Sequence, residues 1–200
     1  VLGSEGGGLH LGDKADHYTY DPRDVSDFAQ ARARPDDDWL IAPPGANDLR
    51  GSALVYHSDP LPDEIELTGA MRLSVWLAMD VPDTDLRATV YEITADGQSI
   101  LLGQDMLRAR YRESLSKEAL VPVGVPVRYG FEHFPWLARR LAKGSRLRLV
   151  VGAVRGIMFE RNYNAGGAVA EQSGKDARVA HVTLLHDAEH PSSLDLPLGG

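Results

Sequence analysis

The 200-residue chain contains no cysteine. Disulfides, thiolate metal sites and a cysteine nucleophile are therefore excluded. Also missing is any apolar run near the roughly 20 residues that cross a bilayer as a helix. Positive charge is in deficit, with 21 Lys and Arg against 29 Asp and Glu, a net of −8. Duplex binders need a basic surface to displace counterions, and anionic lipid attracts basic segments. Neither nucleic acid nor a membrane surface is expected as a partner. The opening residues, VLGSEGGGLH, have no basic segment and no long apolar core. No signal peptide is expected from them, and a cytoplasmic location is favoured. The chain starts without Met and reads as a piece of a longer polypeptide.

Self-contained catalytic machinery is missing as well. A serine hydrolase carries Gly-x-Ser-x-Gly at a strand-to-helix elbow. The nearest string, LGSEGG, has Leu2 where the first glycine is needed. EGGGLHLG lacks the following helix and the lysine of a phosphate-binding loop, and NYNAGGAVAE (162–171) fits neither glycine-rich fingerprint. His186 and His190 in HDAEHP have the His-x-x-x-His spacing that holds zinc on a helix, but Pro191 and the acidic neighbours favour a loop. PDTD (82–85) and PDDDW (35–39) gather carboxylates without the spaced ligands of a calcium loop, so solvated turns are expected. No catalytic residue, metal or cofactor is assigned.

What the chain does have is alternation. From residue 52 onward, apolar and polar residues exchange with period two, the signature of half-buried strands. ALVYHS (53–58), ELTGAMRLSVWLAMD (66–80), LRATVYEIT (86–94), QSILLGQ with MLRARYR, VPVGVPVRYGF (121–131), SRLRLVVGA (145–153) and ARVAHVTLLHD (177–187) all read as extended. ADG (95–97) reads as a hairpin turn. Met71, Leu73, Val75, Leu77 and Met79 fall on one face, as do Leu147, Leu149 and Val151, and both sets are expected in the core. FPWLARRLAKG (134–144) is expected to be the one short helix, opened by Pro135 and capped by Gly144. A second helical stretch is possible over 24–33. Residues 1–51 read as a long irregular lead-in, and 52–200 as one sandwich core. Eight to ten short strands with turn-rich connections predict an all-β sandwich or barrel.

Arg108, Arg110 and Arg112 alternate within MLRARYRES. On a continuing strand they would share one face. Two readings stand: a solvated or carboxylate-paired face, and a dedicated anion site. The first is preferred, which makes these arginines structural. Of the three tryptophans, Trp76 and Trp136 lie in segments that read as packed, leaving Trp39.

Several strings occur in a meaningful order: YTYDPRD (18–24), ALVYHSDPL (53–61), ELTGAMRLSVWLAMDVPDTDL (66–86), MLRARYRES (106–114), KGSRLRLVV (143–151), FERNYNAGG (159–167) and HDAEHPSSLDLP (186–197). Together they resemble the C-terminal non-catalytic domain of the X-Pro dipeptidyl-peptidase and cocaine esterase family of hydrolases. The resemblance implies a jelly-roll β-sandwich of the galactose-binding-like type. It implies an α/β-hydrolase catalytic domain, absent from this chain, as partner within the same polypeptide, with a homo-oligomer left open. It also implies that FERNYNAGG forms a loop meeting that domain, with Phe159 as an apolar contact and Arg161, Asn162 and Asn164 as polar ones. The alternative for the two asparagines is service in tight turns. A stand-alone ligand- or carbohydrate-binding sandwich is the alternative for the whole chain.

Overall fold

Alternating side chains become strands where a neighbour takes the edge, and the computed structural model, which describes residues 15–24, 41–42, 53–154 and 159–199, contains twelve. They are β1 (Asp16–Tyr20), β2 (Ile41–Ala42), β3 (Ala53–His57), β4 (Ile65–Gly69), β5 (Arg72–Met79), β6 (Asp85–Ile93), β7 (Ser99–Arg108), β8 (Val127–Phe131), β9 (Leu137–Leu141), β10 (Arg146–Ala153), β11 (Ala180–Leu185) and β12 (Ser193–Asp195). Among the described residues no helix is long and apolar enough to cross a membrane.

One sheet runs β2-β7-β6-β10-β3. The other is organised on β5. β8 pairs with Leu73–Leu77 of β5, while β11 and β12 pair with stretches that overlap this one at both ends. A strand has two edges, so β8 lies on one edge of β5 and β11 with β12 share the other. β1 then pairs with β11 at the rim. β4 and β9 form a separate antiparallel pair. The fold is an all-β sandwich.

Burial follows the alternation. Leu73, Val75, Leu77 and Met79 of β5 point inward with Tyr129, Phe131, Val182, Leu184 and Leu194 from their neighbours. Leu86, Ala88, Val90, Leu147, Leu149 and Val151 face them from the second sheet. Met71, also in the core, precedes β5. Each large apolar side chain taken out of water contributes about 1.5–3 kcal/mol, so this shared interior holds the sheets together.

Four expectations need correction. Residues 134–144 are not helical: Leu137–Leu141 form β9, paired with β4. A helix of about three turns has little stability of its own, whereas the strand gains a full ladder. It also delivers Arg139 to Glu92, a carboxylate only 2% exposed that takes Arg139 Nε at 2.7 Å and Ser145 Oγ at 2.8 Å. No α-helix occurs among the described residues. The single strand expected over 66–80 is two, β4 and β5, in different sheets. Gly69 makes the break at φ 136°, a conformation L side chains avoid, and a Cβ there would lie 2.9 Å from Pro197 Cβ. Val150, which strict alternation puts on the outward face opposite Leu149 and Val151, is nevertheless 7% exposed, flanked in register by Val55 of β3 and Thr89 of β6. Part of the expected lead-in is sandwich: β1 buries Tyr18 and Tyr20. The helix considered at 24–33 lies outside the described residues, apart from Asp24.

Candidate functional site

β6 and β7 form an antiparallel ladder with Asp85 opposite Arg108. Continued two residues, the same register sets Thr84 opposite Ala109 and Asp83 opposite Arg110. The Ala109 amide donates to Thr84 O at 2.9 Å, as a ladder would, but the Arg110 amide donates to the Asp83 carboxylate at 3.0 Å. There the strand ends, and Ala109–Tyr111 close a 3-10 turn. The three arginines therefore do not share a strand face. They diverge from a tight turn into three sets of partners.

Arg108 grips Asp85 with Nε at 2.8 Å and Nη2 at 3.0 Å, and reaches Glu160 with both terminal nitrogens at 3.3 Å. Its pKa is raised, first by the hydrogen bond to Asp85, with burial opposing. Arg110 is 4% exposed and Asp83 0%. Arg110 donates from Nε to Asp83 at 2.8 Å, from Nη1 to Glu118 at 3.0 Å and from Nη2 to Gly167 O at 2.8 Å. Burial pulls its pKa down, but the hydrogen bonds and charges of Asp83 and Glu118 leave it raised. Arg112 donates to the carbonyls of Ala109 and Ala119 and pairs with Glu113. A planar fork of five donors suits such divided duty.

The FERNYNAGG segment enters the same network. Asn162 gives its amide hydrogens to Asp83 at 2.7 Å and Asp85 at 2.9 Å, and its oxygen accepts the Asn164 amide at 2.9 Å. That last bond is the local turn that asparagine side chains favour. Asn164 adopts φ 63°, the left-handed region that asparagine tolerates, and its amide donates to Arg178 O at 2.8 Å. Asn162 is 2% exposed and Asn164 0%, so both look into the domain and serve turns. Arg161 is half-buried, and Phe159 is 38% exposed at the surface.

Beside this network lies an open groove of about 270 Å³, lined by Asp85, Met106, Leu107, Arg108, Tyr111, Val154, Phe159 and Glu160. Its charges satisfy one another through Arg108, and its walls are apolar. Asp83 and Asp85, expected as solvated turn residues, are instead the anchors of the site. One signal in the sequence pointed to them: an Asp-x-Asp at the start of one strand faces an Arg-x-Arg at the end of its antiparallel neighbour. Met106 and Tyr111 carried no such signal.

The remaining candidates separate. His186 Nε2 lies 3.2 Å from Asp16, which also accepts the Tyr56 hydroxyl at 2.9 Å. His190 Nδ1 lies 3.0 Å from Asp187 within its own turn and its ring meets Trp76 edge-on at 5.1 Å. The two imidazoles thus take different partners, and among the described residues no cluster of three or more His, Asp or Glu is arranged for a metal. Trp136 is 80% exposed, against the expectation that it packs. Trp39 lies outside the described residues.

Comparison with known proteins gives a consistent result. The family model of the X-Pro dipeptidyl-peptidase C-terminal non-catalytic domain matches residues 8–195. Cocaine esterase from Rhodococcus sp. (strain MB1 Bresler) is 26% identical over 198 residues, covering 93% of this chain and 32% of that protein. A selenomethionine-labelled α-amino acid ester hydrolase superposes with TM-score 0.83 at 19% identity, over 96% of this chain and 34% of that one. An aminopeptidase from a marine sediment Thaumarchaeota archaeon does so with TM-score 0.84 at 18% identity, over 95% and 34%. At such identities the structural likeness concerns the fold. The chain spans about a third of the length of each of these relatives.

Proposed function

The chain belongs to the X-Pro dipeptidyl-peptidase C-terminal non-catalytic domain family, and from that premise we propose that it is the accessory domain of a serine hydrolase. The catalytic part is an α/β-hydrolase domain elsewhere in the same polypeptide. Its substrate is an ester, an amide or an X-Pro peptide, the classes suggested by the family description and by the names of the relatives. The sandwich packs on the catalytic domain and helps to shape its substrate site or its assembly. One observation carries this reading: a family of non-catalytic domains matches nearly the whole chain, while the relatives are about three times as long.

The test uses the parent protein. Its coding sequence N-terminal to Val1 is expected to contain a Gly-x-Ser-x-Gly elbow. Deletion of residues 1–200 is expected to lower kcat/KM for an activated ester or an X-Pro anilide, or to destabilise the catalytic domain. A parent with no such elbow, or one indifferent to the deletion, sinks the proposal.

The exposed indole of Trp136 favours a second reading, a ligand- or carbohydrate-binding module, since exposed aromatic faces are used in recognition. Calorimetric binding of a soluble glycan by the chain, lost in Trp136→Ala with the fold intact, would support it.

A further inference from the structure

In a chain of net charge −8 an arginine finds a carboxylate easily, and Arg108, Arg110 and Arg139 each hold one. Arg146 and Arg148 of β10 do not. Among the described residues neither lies within ion-pair distance of a carboxylate. We propose that the outward face of β10 around Arg146 and Arg148 is a binding site for a small organic oxyanion, a carboxylate or a phosphate ester, taken between the two guanidinium groups.

Alternation sends both arginines to the side of the sheet away from the core. In register, Arg148 stands between Tyr91 of β6 and His57 of β3. Arg148 Nε donates to His57 Nε2 at 2.8 Å, and Arg146 Nη1 donates to Ser58 O at 3.0 Å. One bond each tethers the forks and leaves most of their five donors unspent. The terminal nitrogens of Arg148 have no hydrogen bond among the described residues. His57 brings no negative charge. Burial, then the charges of Arg148 and Arg146, lower its pKa, so the ring is neutral at neutral pH.

Carboxylates raise the pKa of Arg108 and Arg110, whereas burial lowers that of Arg148. A half-buried cation without a counter-charge is a cost to the fold, and an arriving oxyanion removes it. The free end of the Arg148 fork suits two parallel bonds to a carboxylate or phosphate. Tyr91, near enough for the Arg148 charge to act on its phenol, carries a further donor. Val55, 42% exposed on the same face of β3, offers apolar contact to the organic part of the ligand. The overall negative charge disfavours a long polyanion, which leaves a compact one.

The experiment titrates phenyl phosphate and phenylacetate by calorimetry into the full-length parent and its Arg148→Gln, Arg146→Gln and Arg140→Gln variants. Arg140 is exposed on β9 and pairs with Glu64 and Glu66, so its loss changes the net charge equally at another place. Expected is saturable binding of at least one probe, weakened roughly tenfold or more by Arg148→Gln and by Arg146→Gln and unchanged by Arg140→Gln. The tighter probe tells a phosphate ester from a carboxylate. Without ligand, Arg148→Gln is expected to melt no lower than wild type, because it removes a cation that lacks a counter-charge. Binding of neither probe overturns the proposal, as does binding that all three variants weaken alike or that none weakens. A lowered melting temperature for ligand-free Arg148→Gln would make Arg148 structural and overturn it as well.

Discussion

Arg110 Nε and Asp83 Oδ2 meet at 2.8 Å, with side chains 5% and 0% exposed. Breaking such a pair leaves an uncompensated buried charge, which costs about 3–5 kcal/mol, while replacing both partners with apolar groups is often tolerated. Arg110→Ala is therefore expected to lower the urea midpoint strongly, and Asp83→Leu with Arg110→Met to recover only part of the loss, because the Arg110 amide and the Asn162 side chain lose the Asp83 acceptor as well. In the parent, the folded fraction of Arg110→Ala is expected to keep a kcat near wild type. Lost substrate binding without lost stability would make the arginines a binding site.

Asn162 separates two carboxylates by giving each one a hydrogen. Asn162→Ala removes both bonds and leaves buried acceptors short of donors, at roughly 1–3 kcal/mol. Asn162→Asp does worse at neutral pH, because it sets a third carboxylate between the other two. The gap between these variants is expected to narrow in acid, measured as denaturation midpoints across pH. Equal stability of both variants at every pH would contradict the bridge.

Leu73 and Leu149 face each other's sheets and are 2% and 4% exposed. Leu73→Ala and Leu149→Ala are each expected to cost about 2–5 kcal/mol through lost burial and residual cavity. Unchanged chemical-denaturation midpoints would count against this packing.

Gly166 and Gly97 share a positive φ, 83° and 88°, but not a neighbourhood. A Cβ at Gly166 would meet Pro82 Cγ at 2.9 Å, whereas a Cβ at Gly97 meets nothing within 4 Å. Both alanine variants carry the left-handed strain of roughly 1–2 kcal/mol. Gly166→Ala is expected to lose more, because Pro82 is a ring in a tied-down turn. Matching losses would show that the Pro82 contact relaxes freely.

Burial raises the pKa of Tyr18, Tyr56 and Tyr129 well beyond the ordinary phenol value, assisted at Tyr56 by its hydrogen bond to Asp16. The folded state thus holds these groups neutral, while unfolded phenols ionise near pH 10. Their contribution is fully present below that pH and is lost as pH rises above it. The phenolate absorbance of these three residues is expected to appear only with alkaline unfolding. Smooth ionisation in a chain that stays folded would refute the burial.

Much of the fold was legible because strand alternation is a local property. The inward set Leu73, Val75, Leu77, Leu147, Leu149 and Val151 follows from side chains pointing to opposite faces at each step. The ordered strings also identified the family. What alternation cannot say is which strand lies beside which, or where a ladder stops. Leu137–Leu141 satisfied a short helical pattern and a strand pattern alike, and the free edge of β4 decided between them. Arg108, Arg110 and Arg112 looked like one face because nothing local to them ends the strand. It ends because the carboxylate of Asp83, 27 residues away, takes the Arg110 amide. Between the two readings open for the asparagines, partners far along the chain decided: Asp83 and Asp85 receive Asn162, and the Arg178 carbonyl receives Asn164. Composition and periodicity, which depend on neighbours in sequence, determined the class of fold. Partners distant in sequence decided the network, since a buried charge is stable only where the folded chain brings its counter-charge within reach.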